Sequence, residues 1–252
     1  YLKAAKGAAD FCLLNLRTDE GRLLKRWRRG KAGLPAHLED YAFLTQGLID
    51  LYEASLESKY LKHADDLAKL TIQLFEDEVN GGFYLTADDG EKLLVRPKEI
   101  YDGAIPSGNS VMALNLARLS KFTGNSNYEE KLIRLFSASS GFLNKNPRGA
   151  EVLLHALDFI LGSPIEFVVA GDSEMTETQD LLREINQRFL PSKVILFKDS
   201  SKPDKTLIKL IPFLENQNAI DNKPTVYACR NQTCDKPQTS LQELILFLEE
   251  QN

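Results

Sequence analysis

A chain of 252 residues, 43% hydrophobic and 27% charged, has the composition of an ordinary globular protein with one large domain or two small ones. A net charge of −5 excludes nucleic acid as the main partner, because phosphate binding needs clustered Lys and Arg. No apolar stretch approaches the length of a membrane span, so no membrane partner is expected either.

No secretion signal is visible, and the chain opens in mid-pattern at Tyr1 without a Met, as expected of part of a longer protein. Three cysteines do not make a secreted disulfide framework. The expected compartment is reducing, cytoplasmic or organellar.

The first element is a helix over 2–16, with Leu2, Ala5, Ala9, Cys12, Leu13 and Leu16 on one face. Cys12 is expected to be a buried structural thiol. A turn follows at 18–21, then a short strand over 22–27, then breaks at Gly30, Gly33 and Pro35. The basic run 22–31 (RLLKRWRRGK) reads as a solvated edge. Helices over 38–55 and 59–76, joined by a short link, predict an antiparallel hairpin. A second pair is predicted over 109–122 and 128–139, and a further helix over 150–161.

Between the pairs lies a long patterned stretch, 81–110 (GGFYLTADDGEKLLVRPKEIYDGAIPSGNS). Loops of this length between helices are usually functional. A shift of 68 residues lays Leu51 on Leu119, Ser58 on Ser126, Tyr60 on Tyr128 and Tyr41 on Asn109; it also lays Thr18 on Thr86 and Arg28 on Arg96. A repeat architecture of about two and a half units is therefore expected, with the loops 28–41 and 96–109 lining one opening.

The pattern changes near residue 163. Strands are predicted over 165–170, 193–197 and 224–229, and helices over 174–190, 204–215 and 241–250. Their alternation suggests a small parallel α/β unit. The expected domains are thus helical-hairpin repeats over 1–163 and an α/β unit over 164–252. A ligand of the second unit would sit at 171–173, 199–200 or 229–230.

Glu39 and Asp40 are the candidate acid/base carboxylates, set against the ordinary enrichment of acids at helix starts. Adjacent carboxylates diverge by about 100° on a helix, so at most one points easily into a site. His37 would be either a proton shuttle or a surface loop residue; His63 and His155 read as packing or surface residues. The three histidines share no metal-ligand spacing, and neither metal nor cofactor is expected.

In the long loop, Gly81 and Gly82 supply a turn of positive φ, and Phe83 and Tyr84 fit a short strand or a platform for a sugar ring. Residues 88–90 signal a hairpin turn. Arg96 and Lys98 would hold an anionic group, Asp102 and Asn109 would make polar contacts, and Ser107 or Asn109 would cap the next helix. Cys229 and Cys234, in CRNQTC, lack the CxxC spacing. They are expected as free thiols, with a labile disulfide or half a metal site as alternatives.

The segments HLEDYAFLTQGLIDLYEAS, the 81–110 stretch, PIEFVVAGD and VYACRNQTCDKP together resemble the thioredoxin-domain protein family that includes spermatogenesis-associated protein 20 and its bacterial relatives. The matching positions are Glu39, Asp40, Tyr41, Arg96, Asp102, Ser107, Gly108 and Asn109, with Cys229 and Cys234 later. The resemblance implies a mainly α protein with a partial (α/α)6 toroid similar to N-acylglucosamine 2-epimerases and six-hairpin glycosidases. It also implies an N-terminal thioredoxin-like domain and further hairpins outside this sequence. Two expectations follow. One is a carbohydrate-like ligand in the ring cavity, with Glu39 or Asp40 as acid/base and Tyr41, Arg96, Asp102, Ser107 and Asn109 as binding groups. The other is a redox-linked docking module in which Cys229 and Cys234 take part. The epimerases' catalytic histidine motifs have no match here.

Overall fold

A computed structural model describes residues 1–231 and 233–251. The chain is mainly α and divides into two compact units. The first holds 1–120 with 125–158, and the second 121–124 with 159–252. Among the described residues no helix is long and apolar enough to cross a membrane.

The first unit begins with α1 (Leu2–Asn15) and a hairpin of β1 (Leu24–Arg28) and β2 (Lys31–Pro35). It continues with α2 (Leu38–Ser55), α3 (Ser58–Phe75), α4 (Gly108–Thr123), α5 (Ser126–Lys145) and the start of α6 (Glu151–Leu161). The short links at 56–57 and 124–125 force α3 and α5 to return antiparallel to α2 and α4. α4 lies parallel to α2. Gly108 abuts Leu38 and Glu39, the Asn115 amide donates to the carbonyl of Ala42 at 2.7 Å, and Arg118 reaches Asp50 and Glu53 at 2.6 and 2.7 Å.

The outer helices repeat one clasp. The Tyr60 hydroxyl on α3 donates to Asp10 of α1 at 3.2 Å, and the Tyr128 hydroxyl on α5 donates to Asp65 of α3 at 2.6 Å. Tyr60 and Tyr128 are the pair related by the 68-residue shift. Burial, with Asp65 alongside, pushes the Tyr128 phenol well above its ordinary range, so it stays a donor. Asp65 is buried and also takes Lys69 at 2.7 Å.

Three expectations need correction in this unit. Residues 31–35 are not merely a break: they pair with β1, so that Arg28 faces Lys31 and Arg26 faces Gly33. Thr18 and Thr86, or Arg28 and Arg96, are not counterparts. The true counterparts are the bridges Arg17–Leu23, just after α1, and Glu76–Phe83, just after α3, because the second copy carries a longer loop and no hairpin. Cys12 is half-exposed and free, since no residue of α1 is fully buried; the partial burial still raises its thiol pKa.

The second unit runs β3 (Ile165–Gly171), α7 (Thr176–Gln187), β4 (Lys193–Asp199), α8 (Lys205–Leu210), β5 (Thr225–Arg230), β6 (Thr233–Cys234) and α9 (Leu241–Glu249), and its four strands form a sheet of order β4-β3-β5-β6. Near-continuous burial along β3 shows that both its faces are covered. The sheet is mixed rather than parallel. β4 runs with β3, but β5 runs against it, placing Cys229 opposite Glu166 while Gly171 lies beside Asp199. The three expected ligand positions therefore fall at opposite ends of the sheet. Helix α7 is shorter than expected, and a 3-10 turn over Pro212–Asn216 replaces the end of the helix expected over 204–215.

Free thiols at Cys229 and Cys234 are also corrected. The two residues face each other across β5 and β6 with Cα atoms 3.8 Å apart, and their sulfurs are bonded. Gln232, inside the CRNQTC segment, lies outside the described residues.

The clasps differ in burial. Tyr128→Phe should therefore cost about 1–3 kcal/mol by leaving a buried carboxylate oxygen unpaired, and Tyr60→Phe less than about 1 kcal/mol. Urea denaturation of both variants checks this; equal losses would contradict the assignment of the buried clasp as the stronger one.

Candidate functional site

The N-terminal ends of α2, α4 and α6 gather at one end of the first unit. Gly108 is the first residue of α4, and a Cβ there would stand 2.8 Å from Leu38 Cγ and 3.2 Å from the Glu39 nitrogen. Only glycine lets the two helix starts approach this closely. Between α4 and α6 stands Asp102. One carboxylate oxygen accepts from the Ser107 nitrogen at 2.8 Å and the other from the Val152 nitrogen at 2.9 Å. A carboxylate at two helix N-termini is favoured by both macrodipoles.

Most predicted site residues are occupied by backbone partners. Asp40 accepts from the His37 nitrogen at 2.8 Å and so caps α2. Tyr41 is buried, and its hydroxyl accepts from the Leu23 nitrogen at 2.8 Å. Asn109 is buried as well. Its Oδ1 accepts from the Phe83 nitrogen at 2.8 Å, and its Nδ2 donates to the carbonyls of Phe83 and Glu99, both at 2.9 Å. The side chain thus supplies the two bonds a neighbouring strand would make. Tyr41 and Asn109, matched by the 68-residue shift, do the same job: each holds the bridge segment that precedes its helix. Ser107 is the residue that caps α4, accepting from the Ser110 nitrogen at 3.1 Å.

Arg96 donates to the Thr86 carbonyl at 2.6 Å and lies 4.2 Å over the Tyr84 ring, while its Nε has no partner among the described residues. Lys98, expected to meet an anion, meets one inside the protein. It donates to Asp77 at 2.7 Å and to the Gly81 carbonyl at 2.9 Å. Gly81 and Gly82 have the expected positive φ, 79° and 75°. Residues 88–90 turn as predicted, but no strands flank them, so there is no hairpin. The apolar run 93–95 is exposed.

Sequence reading missed Asp77. This buried carboxylate accepts from Val79 N, Asn80 N, Asn80 Nδ2, the Tyr84 hydroxyl and Lys98, at 2.7–3.1 Å. The Lys98 ammonium, then the Asn80 N–H, hold its carboxyl far below the usual carboxylate range. The Asp-x-x-Asn turn before the double glycine was the available signal.

Glu39 differs from the others. It is half-exposed at the point where α2 meets α4, and its carboxylate has no partner among the described residues. His37 Nδ1 lies 3.3 Å from the Lys25 ammonium; His63 approaches Arg17, at 3.5 Å, and its pKa is lowered by burial and that charge; His155 is exposed. No group of three or more metal-ligating side chains occurs among the described residues.

The Asp77 carboxyl is depressed in the folded state. Its stabilisation is therefore fully present above the ordinary pKa of about 4 and is lost as pH falls below it. Protection of the 77–84 amides, relative to their intrinsic exchange at each pH, should fall on acidification below about pH 4, and Asp77→Asn should abolish that dependence. An unchanged profile in the variant would rule the clamp out. Asn109→Ala should cost about 2–4 kcal/mol in chemical denaturation, since buried backbone groups lose their partners.

No family model matches the chain. Over 233 residues it is 35% identical to spermatogenesis-associated protein 20 of Homo sapiens, covering 89% of this chain and 30% of that protein. The rat protein of the same name is 36% identical over 214 residues, 84% of this chain and 27% of the relative. An uncharacterized protein of Caenorhabditis elegans is 30% identical over 252 residues, 97% of this chain and 34% of the relative. The chain thus spans about a third of the length of the curated relatives it matches. Over most of its length the chain is thus similar to part of spermatogenesis-associated protein 20.

Proposed function

We propose that the gathered helix starts are the ligand-binding end of a larger helical toroid, and that they hold a carbohydrate-like, polyhydroxylated molecule without turning it over. The parallel α2 and α4, each followed by an antiparallel partner, support the toroid reading. The observation that carries the binding reading is Glu39: among the predicted site residues, it is the carboxylate left without a protein partner, beside the Gly108 contact. A carboxylate accepts hydrogen bonds from vicinal hydroxyls at no cost in broken protein contacts. Acid/base turnover has less support, because Asp40 is committed to the α2 cap.

Calorimetry with a panel of neutral and acidic sugars tests this. At least one neutral sugar should bind, and Glu39→Gln should weaken it by about 10- to 100-fold, the worth of a hydrogen bond to a charged group. Binding to no sugar, or binding indifferent to Glu39→Gln, overturns it. Conversion of the bound sugar, followed by NMR, would overturn the non-catalytic part.

A second reading, a docking module linked to a redox partner, is favoured by the Cys229–Cys234 disulfide. Association with a thioredoxin-like domain added in trans should then depend on whether the pair is oxidised; equal association of both forms counts against it.

A further inference from the structure

The disulfide is asymmetric. Cys229 lies on β5 and is 4% exposed, whereas Cys234, on the two-residue edge strand β6, is exposed. The amide nitrogen of Gln217 stands 3.9 Å from both sulfurs. The pair closes the tip of a hairpin whose root is held separately. Val226 and Gln238 exchange backbone bonds at 2.9 and 3.0 Å, and Asp235 N donates to the Ala228 carbonyl at 2.9 Å. Breaking the sulfur bond therefore leaves the strand attached.

The unit has no attacking thiol of its own. A dithiol pair of the CxxC type sits at the start of the helix that follows the first strand of a βαβ pattern, where the helix N-terminus lowers its pKa. Here that place, between β3 and α7, reads Gly171-Asp172-Ser173-Glu174-Met175 and contains no cysteine. What the unit presents is a disulfide open to attack from one side.

We propose that Cys229–Cys234 is a thiol–disulfide exchange site, an oxidised substrate for an external dithiol that attacks Cys234; this rests on the redox-linked reading above. In the step, the thiolate of the dithiol bonds to Cys234 Sγ and the sulfur–sulfur bond breaks. Cys229 leaves as a thiolate and takes a proton from solvent. The second thiol of the dithiol then attacks the dithiol's first sulfur, now bonded to Cys234, and Cys234 leaves, taking up the proton the second thiol gives up. Two electrons pass to the pair, and the dithiol becomes a disulfide. Access decides which sulfur is attacked, and only Cys234 is accessible. The Gln217 N–H faces the departing Cys229 sulfur and solvates its developing charge.

The wild-type chain, purified without reductant, is treated with glutathione, quenched in acid, alkylated and mapped by mass spectrometry. Glutathione is used because a monothiol stops at the mixed disulfide. The expected product carries glutathione on Cys234 and the alkyl group on Cys229. Glutathione on Cys229 in excess, reaction only in denaturant, or alkylation of Cys229 and Cys234 before treatment overturns the proposal. Amide exchange after reduction by dithiothreitol gives a second readout. Protection should fall at Thr233 and Cys234 and persist at Val226, Asp235 and Gln238; loss throughout β5 would mean that the disulfide holds the fold and does not act as a local exchange site. Correct mapping with no effect of reduction on association would sink the docking reading alone.

Discussion

Asp102 sets the geometry of the helical unit. Its two carboxylate oxygens accept one N–H each, from the residue that caps α4 and from the first turn of α6. Helix starts leave unpaired donors that a folded chain must satisfy. Placing one anion between two such ends fixes their separation and keeps both pointing the same way. The backbone of Asp102 adds to this, since its own nitrogen donates to the Gly149 carbonyl at 2.7 Å. On the other side of α4, Gly108 removes a side chain and lets α2 come into contact. A bridging anion on one side and a missing Cβ on the other thus align three helix starts.

The long loop follows from the same economy. Residues 77–107 contain no regular element, yet much of the backbone of 77–90 is paired. Leu38 N donates to the Leu85 carbonyl and Leu85 N to that of Pro97, at 3.1 and 2.9 Å. Asn109 closes the Phe83 and Glu99 edges, and Asp77 gathers the turn at 79–84. Side-chain amides and carboxylates replace the sheet the segment does not form. The loop is therefore a fixed wall beside the helix starts, which is why so many of its polar residues are unavailable to a ligand.

Helices were legible from the sequence because their apolar spacing is regular: the bounds of α2 were read to the residue, and the 68-residue shift found the Tyr60 and Tyr128 pair. Strand direction was not legible. Alternation of strands and helices does not reveal that β5 runs against β3, since direction depends on which edge the chain returns to. The roles of polar residues were the hardest to read. Asp40, Asp102 and Asn109 look alike in a sequence whether they meet a ligand or a backbone N–H, and only their partners separate the two. Asp77 was missed for the same reason, since its five donors come from 79–98 and none is marked by composition.

That distinction bears on what a shared motif means. The LEDYA and PSGN segments contain Asp40, Tyr41, Ser107, Gly108 and Asn109, each now tied to a cap, a bridge segment or a close helix contact. Selection for the packing of helix starts is sufficient to account for such a cluster, with no chemistry required of it. Glu39 lies inside the same motif but outside that explanation. Its side chain caps nothing and pairs with nothing among the described residues, although its backbone nitrogen packs against Gly108. An acidic residue in the first turn gains from the helix dipole, which is one reason for a carboxylate here. The dipole alone asks for an acid anywhere in that turn, and Asp40 already supplies it. The second carboxylate, placed where α2 and α4 touch, is the feature that the packing of the helix starts does not use.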